Sequence, residues 1–293
     1  MRIQFLGTGA AEGNPPVFDR LAGDRLPADP RDPNVRTRSS LRLGTTHQID
    51  FGPDHFAQSL RCGFDSYDLE HVIVTHTHAD HLHLNGVLAK ELARKRRSPG
   101  IRLYAGPQAA AWIDSLFEFL QKPGTPVDEY ERLRAAYPVT RMEFFTEHDV
   151  GGLTVRTVRG NHRVSASGES SMNPLITLPD GRTLLYAVDT DYYDDESFDY
   201  LSGTRLDLLV MECTFGGLTE PGAHGPGHLN AATFLRMLDR MGRDGVVHSG
   251  TRVYATHINP VQPLDHDGLG KYFADAGYAV TVAYDCLALD GDG

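Results

Sequence analysis

His71-Val72-Ile73-Val74-Thr75-His76-Thr77-His78-Ala79-Asp80-His81 is the stretch on which the reading of this chain turns. Its first half is apolar and β-branched, the composition of a buried strand. Its second half crowds three imidazoles and a carboxylate into six residues. Imidazoles repel one another when protonated and cannot all be buried without partners. A strand ending here puts its polar side chains in a loop at its C-terminal edge. His76 and His78 can then face one ion while Asp80 and His81 turn towards another. Neutral imidazole with carboxylate suits Zn²⁺, with Mn²⁺ or Fe as alternatives. A single zinc site with the remaining side chains as outer partners is the weaker reading.

Around this stretch lie further apolar runs: RIQFLG, SLRLGTTHQIDFG, IRLYAG, MEFFTEHD, LTVRTVRG, NPLITL, TLLYAVDT, LDLLVMEC, RVYATHI and YAVTVAYD. Helical periodicity falls between some of them, in DHFAQSLRCG, NGVLAKELARKRR, PQAAAWIDSLFEFLQ, NAATFLRMLDRMG and LDHDGLGKYFADAG. This order predicts two sheets packed face to face with helices outside. Two polar stretches, Phe18 to Ser39 and Lys122 to Thr140, read as loops, either lids or solvated excursions. Arg36 and Arg38 in the first could bind a phosphate, but a solvated charge pair is the preferred reading.

The bulk numbers narrow the partners. The chain has 293 residues, 40% hydrophobic and 23% charged, which suits one soluble globular domain over residues 1–293. No apolar run approaches the ~20 residues that span a membrane. The opening MRIQFLGTGAAEGNPP reads as a strand and a glycine turn rather than a signal peptide, so the cytoplasm is the expected compartment. With 28 Lys and Arg against 39 Asp and Glu, the net charge is −11. A polyanion binder is normally basic, so nucleic acid is disfavoured. A small phosphorylated substrate is not, because bound cations can supply the charge locally. A homodimer is compatible with the sequence. Cys62, Cys213 and Cys286 form no CxxC pair and read as small buried hydrophobes in a reducing compartment.

H-x-H-x-D-H after an apolar strand resembles the signature of the metallo-β-lactamase superfamily. The resemblance covers nearly the whole chain, because Asp50 in QIDFGPD, His162 in RGNH, Asp189 in YAVDTD and His257 in YATHINP follow in the family's order. It implies a four-layer αββα sandwich of two mixed β-sheets. It also implies that His76, His78 and His162 hold one ion, that Asp80, His81 and His257 hold another, and that Asp189 bridges. Water activated between two divalent ions would be the nucleophile, with Asp80 orienting it. Asp50 is expected to hydrogen-bond the His loop, not to ligate. His162 and His257 each gain weight from standing after an apolar run. Asp191, Asp194 and Asp195 compete with Asp189, but only Asp189 directly follows one. His71 and His83 read as structural, and His47, His55, His148, His248 and His266 receive no role.

Further motifs resemble the phosphodiesterase branch, which includes tRNase Z and the PhnP-type cyclic-phosphate phosphodiesterases. Leu6-Gly7-Thr8-Gly9 would let the backbone pass close to the metal loop or a phosphate. MECTFGG…HGPGHLN has a strand ending in an acidic residue, then a loop with a His before the next helix. His228 fits the place of a general acid for the leaving oxygen, with His224 competing. The PhnP type carries an extra cysteine zinc site near its N-terminus, and this chain has no Cys there. A tRNA-processing enzyme needs a basic surface, and ARKRRS at Ala93 to Ser98 is the one basic cluster, read as a charged helix end. The favoured function is hydrolysis of a small, linear or cyclic phosphodiester such as a phosphoribosyl cyclic phosphate. An RNA 3′-processing nuclease and a non-catalytic metal-binding protein are the alternatives.

Overall fold

The computed structural model describes residues 1–18, 29–94, 98–121, 124–164, 168–218 and 227–289. Two seven-stranded sheets carry the fold. The first contains β1 (Ile3–Gly7), β2 (Ser40–Leu43), β3 (His47–Ile49), β4 (His71–Val74), β5 (Arg102–Ala105), β6 (Val139–Arg141) and β14 (Ala288–Leu289), in the order β14-β1-β2-β3-β4-β5-β6. The second contains β7 (Glu147–Val150), β8 (Leu153–Val164), β9 (Glu169–Thr177), β10 (Thr183–Ala187), β11 (Leu208–Glu212), β12 (Arg252–Thr256) and β13 (Val280–Val282), in the order β13-β12-β11-β10-β9-β8-β7. Both sheets are mixed. β3 to β6 and β10 to β13 run parallel, and the remaining pairs run antiparallel.

Alternation along each strand separates the layers. Leu184 and Tyr186 of β10 face the first sheet, in a core with Ile73, Tyr104, Val210 and Tyr254. Leu185 and Ala187 point the other way, onto α6 (Asp195–Leu201), α7 (Ala231–Arg243) and α8 (His266–Asp275). Val72 and Val74 of β4 pack against α2 (Leu84–Leu88) and α4 (Pro107–Leu120) on the opposite outer face. The central parallel strands are covered on both faces, which explains why HVIV and LLVME read as unbroken apolar runs. The result is the expected αββα sandwich.

Several local expectations need correction. NGVLAKELARKRR predicts one helix; α2 and α3 (Glu91–Arg94) instead form two short pieces broken at Ala89-Lys90. The Lys90 ammonium folds back onto the Leu69 carbonyl there. The basic tail Lys95 to Arg97 lies outside the described residues. The stretch Lys122 to Thr140 is not a loop, for it contains α5 (Val127–Ala136) and β6. α5 buries none of its residues fully, so it lacked the apolar stripe that announces a helix. Within Phe18 to Ser39, residues 19–28 lie outside the described residues, and the rest runs beside Gly9 and Asn14 through isolated bridges.

The cysteine expectation also fails in part. Cys62, at the end of α1 (His55–Cys62), is bonded to Cys286, while Cys213 is free and buried. The two partners are 224 positions apart, so no spacing rule could pair them. They meet because α1 lies against β1, and Cys286 donates its N–H to the Phe5 carbonyl. Among the described residues no helix is long and apolar enough to cross a membrane.

Candidate metal centre

The parallel strands end on one edge of the sandwich, and the polar residues that follow them meet there. β4 delivers Thr75 to His81, β10 delivers Asp189, β11 ends in Glu212 and β12 delivers His257. His162 does not follow a strand, as the sequence suggests. It lies inside the twelve-residue β8, where the pairing with β9 slips between Arg159 and Arg163. A bulge of this kind re-aims a side chain without ending the strand. Asp50, Asp189 and His257 all adopt positive φ, at 58°, 55° and 57°. Non-glycine residues rarely stand there, and strain of this kind concentrates at functional sites.

All seven residues expected as ligands converge. His78 Nδ1 lies 2.9 Å from His76 Nε2 and 3.2 Å from His162 Nε2. Asp189 Oδ2 is 3.1 Å from His76 Nε2 and 3.0 Å from His81 Nε2, while its Oδ1 is 3.0 Å from His257 Nε2. Asp80 Oδ2 is 3.0 Å from His81 Nε2 and 3.7 Å from His257 Nε2. Two four-residue groups result, His76-His78-His162-Asp189 and Asp80-His81-Asp189-His257, with Asp189 in both.

The donor set fits a pair of cations. Donor atoms around a tetrahedral zinc stand roughly 3.3 Å apart, close to the spacings found here. Each imidazole except His78 has its other nitrogen occupied. His76 Nδ1 faces Thr75 Oγ1, His81 Nδ1 faces Asp50 Oδ2 at 2.7 Å, His162 Nδ1 faces the Gly227 carbonyl and His257 Nδ1 faces Thr214 Oγ1. Such partners orient the ring and leave the inward nitrogen as a lone pair. Among the described residues, His81 Nε2, His257 Nε2 and Asp189 Oδ1 are buried with no hydrogen-bond partner. Burial opposes positive charge on His81, yet Asp80, Asp189 and Asp50 overcome it and hold its proton affinity well above the ordinary value. His257 behaves alike, raised to about 10 against burial by Asp189 and Asp80. On His76, burial and the neighbouring His81 prevail and push the value down to about 3. Two carboxylates and five imidazoles thus converge where metal ions would supply positive charge in place of protons.

The surroundings hold this geometry. Asp50 accepts from the Thr75 N–H and Oγ1 on one oxygen and meets His81 on the other, as expected of a non-ligand. Glu169, given no role by the sequence, accepts from the Thr77 N–H at 2.7 Å and Thr77 Oγ1 at 2.6 Å, tying the His loop to the opposite sheet. Gly227, at φ 99°, sits beside His162, where a Cβ would come within 2.9 Å of Nδ1. The Leu6-Gly7-Thr8-Gly9 turn runs beside residues 36–38, and a Cβ at Gly7 would stand 2.0 Å from the Arg38 carbonyl. Its Thr8 carbonyl accepts from the N–H of Ile258, the residue after His257, and the next residue, Ala10, donates its N–H to the Ile258 carbonyl. His71 bonds Tyr104 and stacks on His47, a structural role as expected. Asp194 caps α6 and Asp191 accepts from the Gly227 N–H, so Asp189 is the carboxylate that this segment brings to the cluster beside Asp80.

His228 stands at the mouth, 19% exposed, its ring 4.6 Å from that of His162 and stacked at 5.6 Å on that of His257. Its Nδ1 lies 3.0 Å from Glu212 Oε1. Glu212 is wholly buried and also accepts from the Thr190 N–H, the Leu229 N–H and Thr214 Oγ1. Those bonds saturate it, so it serves His228 rather than an ion. Burial disfavours the imidazolium, but Glu212 more than offsets this and raises the proton affinity of His228. The sequence shows the acidic strand end without revealing its partner. His224 lies outside the described residues.

The family model described as the Beta-lactamase superfamily domain matches residues 47–258, well over half of the chain. The chain belongs to the beta-lactamase superfamily. Its fold is shared across the full length by solved members. A diphosphatase from the PhnP family aligns at TM-score 0.70 and 20% identity, covering 99% of this chain and 97% of the other. Zn²⁺-bound PqqB from Methylobacterium extorquens aligns at 0.69 and 20%, covering 99% and 100%. Human tRNase Z, short form, aligns at 0.62 and 18%, covering 99% of both chains. No curated protein matches this superfamily member in sequence.

Proposed function

We propose that this superfamily member is a binuclear metal-dependent phosphodiesterase acting on a small linear or cyclic phosphorylated metabolite. The observation that carries the reading is the Glu212–His228 pair beside the seven-residue cluster. A phosphodiester needs a nucleophile on one side of phosphorus and a proton for the leaving oxygen on the other. In this reading His76, His78 and His162 would hold one ion and Asp80, His81 and His257 the second, with Asp189 available to both. Bound divalent ions, with zinc preferred and manganese or iron as alternatives, would activate water and offset charge on the phosphoryl oxygens. Asp80 remains 9% exposed at the rim, placed to accept a hydrogen bond from the attacking water. His228, kept protonated by Glu212, would donate its Nε2 proton to the leaving oxygen. Glu212 fixes the tautomer and holds the ring over His257. The PhnP-family and tRNase Z likenesses support phosphate-ester chemistry. The net charge of −11 favours the small substrate over RNA.

The test is turnover by the metal-loaded protein on bis(p-nitrophenyl) phosphate and a panel of cyclic phosphodiesters, with precursor tRNA alongside. His228→Ala is expected to keep both ions and to lower kcat by about 10²–10⁴-fold. An unchanged kcat in this variant contradicts the assigned role, and preferred cleavage of precursor tRNA contradicts the substrate class.

A further inference from the structure

Arg36 is not the solvated charge expected from the sequence. It is 4% exposed, whereas Arg38 forms an ion pair with Asp54 at 3.1 Å. Arg36 Nη1 donates to Thr8 Oγ1 and to the Ala283 carbonyl, and Nη2 lies 3.2 Å from His266 Nδ1. Among the described residues no carboxylate pairs with it. Asp285, which attracts it most, is engaged by Arg61 at 2.9 Å and by Thr8 and Thr37. Two guanidiniums thus share one buried carboxylate, Asp32 adds only a weaker attraction, and Arg36 has no carboxylate in contact among the described residues. Burial lowers the pKa of Arg36 only to about 10, so it stays cationic at neutral pH. An uncompensated buried charge is costly unless something pairs with it.

Arg36 is one of the residues that line a cavity of about 500 Å³, with Asn14, Asn34, His266, Ile258 and Leu264. Guanidinium cannot accept a hydrogen bond, so His266 Nδ1 accepts and Nε2 carries the proton of the neutral ring. Asp265 also borders the space, but its carboxylate caps α8 by accepting from the Gly268 N–H. Pro15, Pro16 and Pro260 add apolar surface, but polar atoms make up the larger share of the wall. None of the seven cluster residues lines this cavity.

We propose that this cavity binds a small organic oxyanion, a carboxylate or phosphate monoester, whose charged end pairs with Arg36. The site is separate from the metal cluster and does not depend on the phosphodiesterase reading. The experiment is calorimetric titration of the metal-loaded full chain with benzoate and, separately, phenyl phosphate. At least one probe binds with Kd of about 1 mM or tighter. The same affinity holds in His76→Ala, and Arg36→Met weakens binding at least about tenfold. If Arg36→Met does not fold, the His266 imidazole resonances of the native chain decide, and they move in step with probe occupancy. No binding of either probe up to about 10 mM, native affinity in Arg36→Met, loss of binding in His76→Ala, or unmoved His266 resonances would each overturn the proposal.

Discussion

At the scale of single residues, the centre depends on groups that are not ligands. Asp50 spends both oxygens on the His loop, and its positive φ is held by an N–H bond to the Ile73 carbonyl. Asp50→Ala would leave His81 Nδ1 and the Thr75 N–H unpaired. Metal affinity measured by competition with a chromogenic chelator is expected to fall by about 10–100-fold. Glu212 acts on protonation instead. The proton on His228 is retained to a higher pH than on an ordinary imidazole because a buried carboxylate faces it. A general acid is active while protonated, so activity declines as pH rises through its pKa. Glu212→Gln removes the charge and should move the alkaline limb of the kcat/KM profile to lower pH, with metal content kept. An unmoved limb would separate His228 from the step assigned to it.

At the scale of elements, the bulge in β8 decides where His162 points. β8 pairs regularly with β9 up to Arg159 and resumes at Arg163, and His162 reaches the cluster between those points. Removing one residue from a strand turns every later side chain to the other face. Deletion of Asn161 is therefore expected to carry His162 off His78 and His76. Elemental analysis should find about one ion per chain in place of two, with far-ultraviolet circular dichroism unchanged. Retention of both ions would mean that His162 is dispensable. Helices show the opposite dependence on context. α4 and α7 announced themselves through buried stripes such as Ala109-Ile113-Phe117 and Phe234-Met237-Met241. α5 has no such stripe, and the ion pairs it makes, Arg132 with Asp128 and Arg134 with Asp114, leave no periodic apolar signal in the sequence.

At the scale of the whole molecule, the cross-link between Cys62 and Cys286 closes a 224-residue span of chain. Closing so long a loop restricts the unfolded ensemble strongly. The double change Cys62→Ser with Cys286→Ser is expected to lower unfolding free energy by about 2–4 kcal/mol, read from the urea midpoint. Reduction of the native protein with dithiothreitol should reproduce the loss. A native midpoint in both would mean that the bond contributes no stability.

What could be read along the chain was whatever repeats a local rule. Apolar runs ending in His or Asp mark the two sheets, because a buried parallel strand is apolar throughout and its end residue is its neighbour in sequence; the family resemblance those motifs carry implies the seven ligands, and His162, inside β8, stands outside the strand-end rule. Partnerships across the sandwich followed no such rule. Glu169 under Thr77, Glu212 behind His228, Cys62 against Cys286 and the burial of Arg36 each join segments far apart in the chain. Charge compensation and hydrogen bonding act over a few ångströms of space, and only the packing of the two sheets sets which residues come that close.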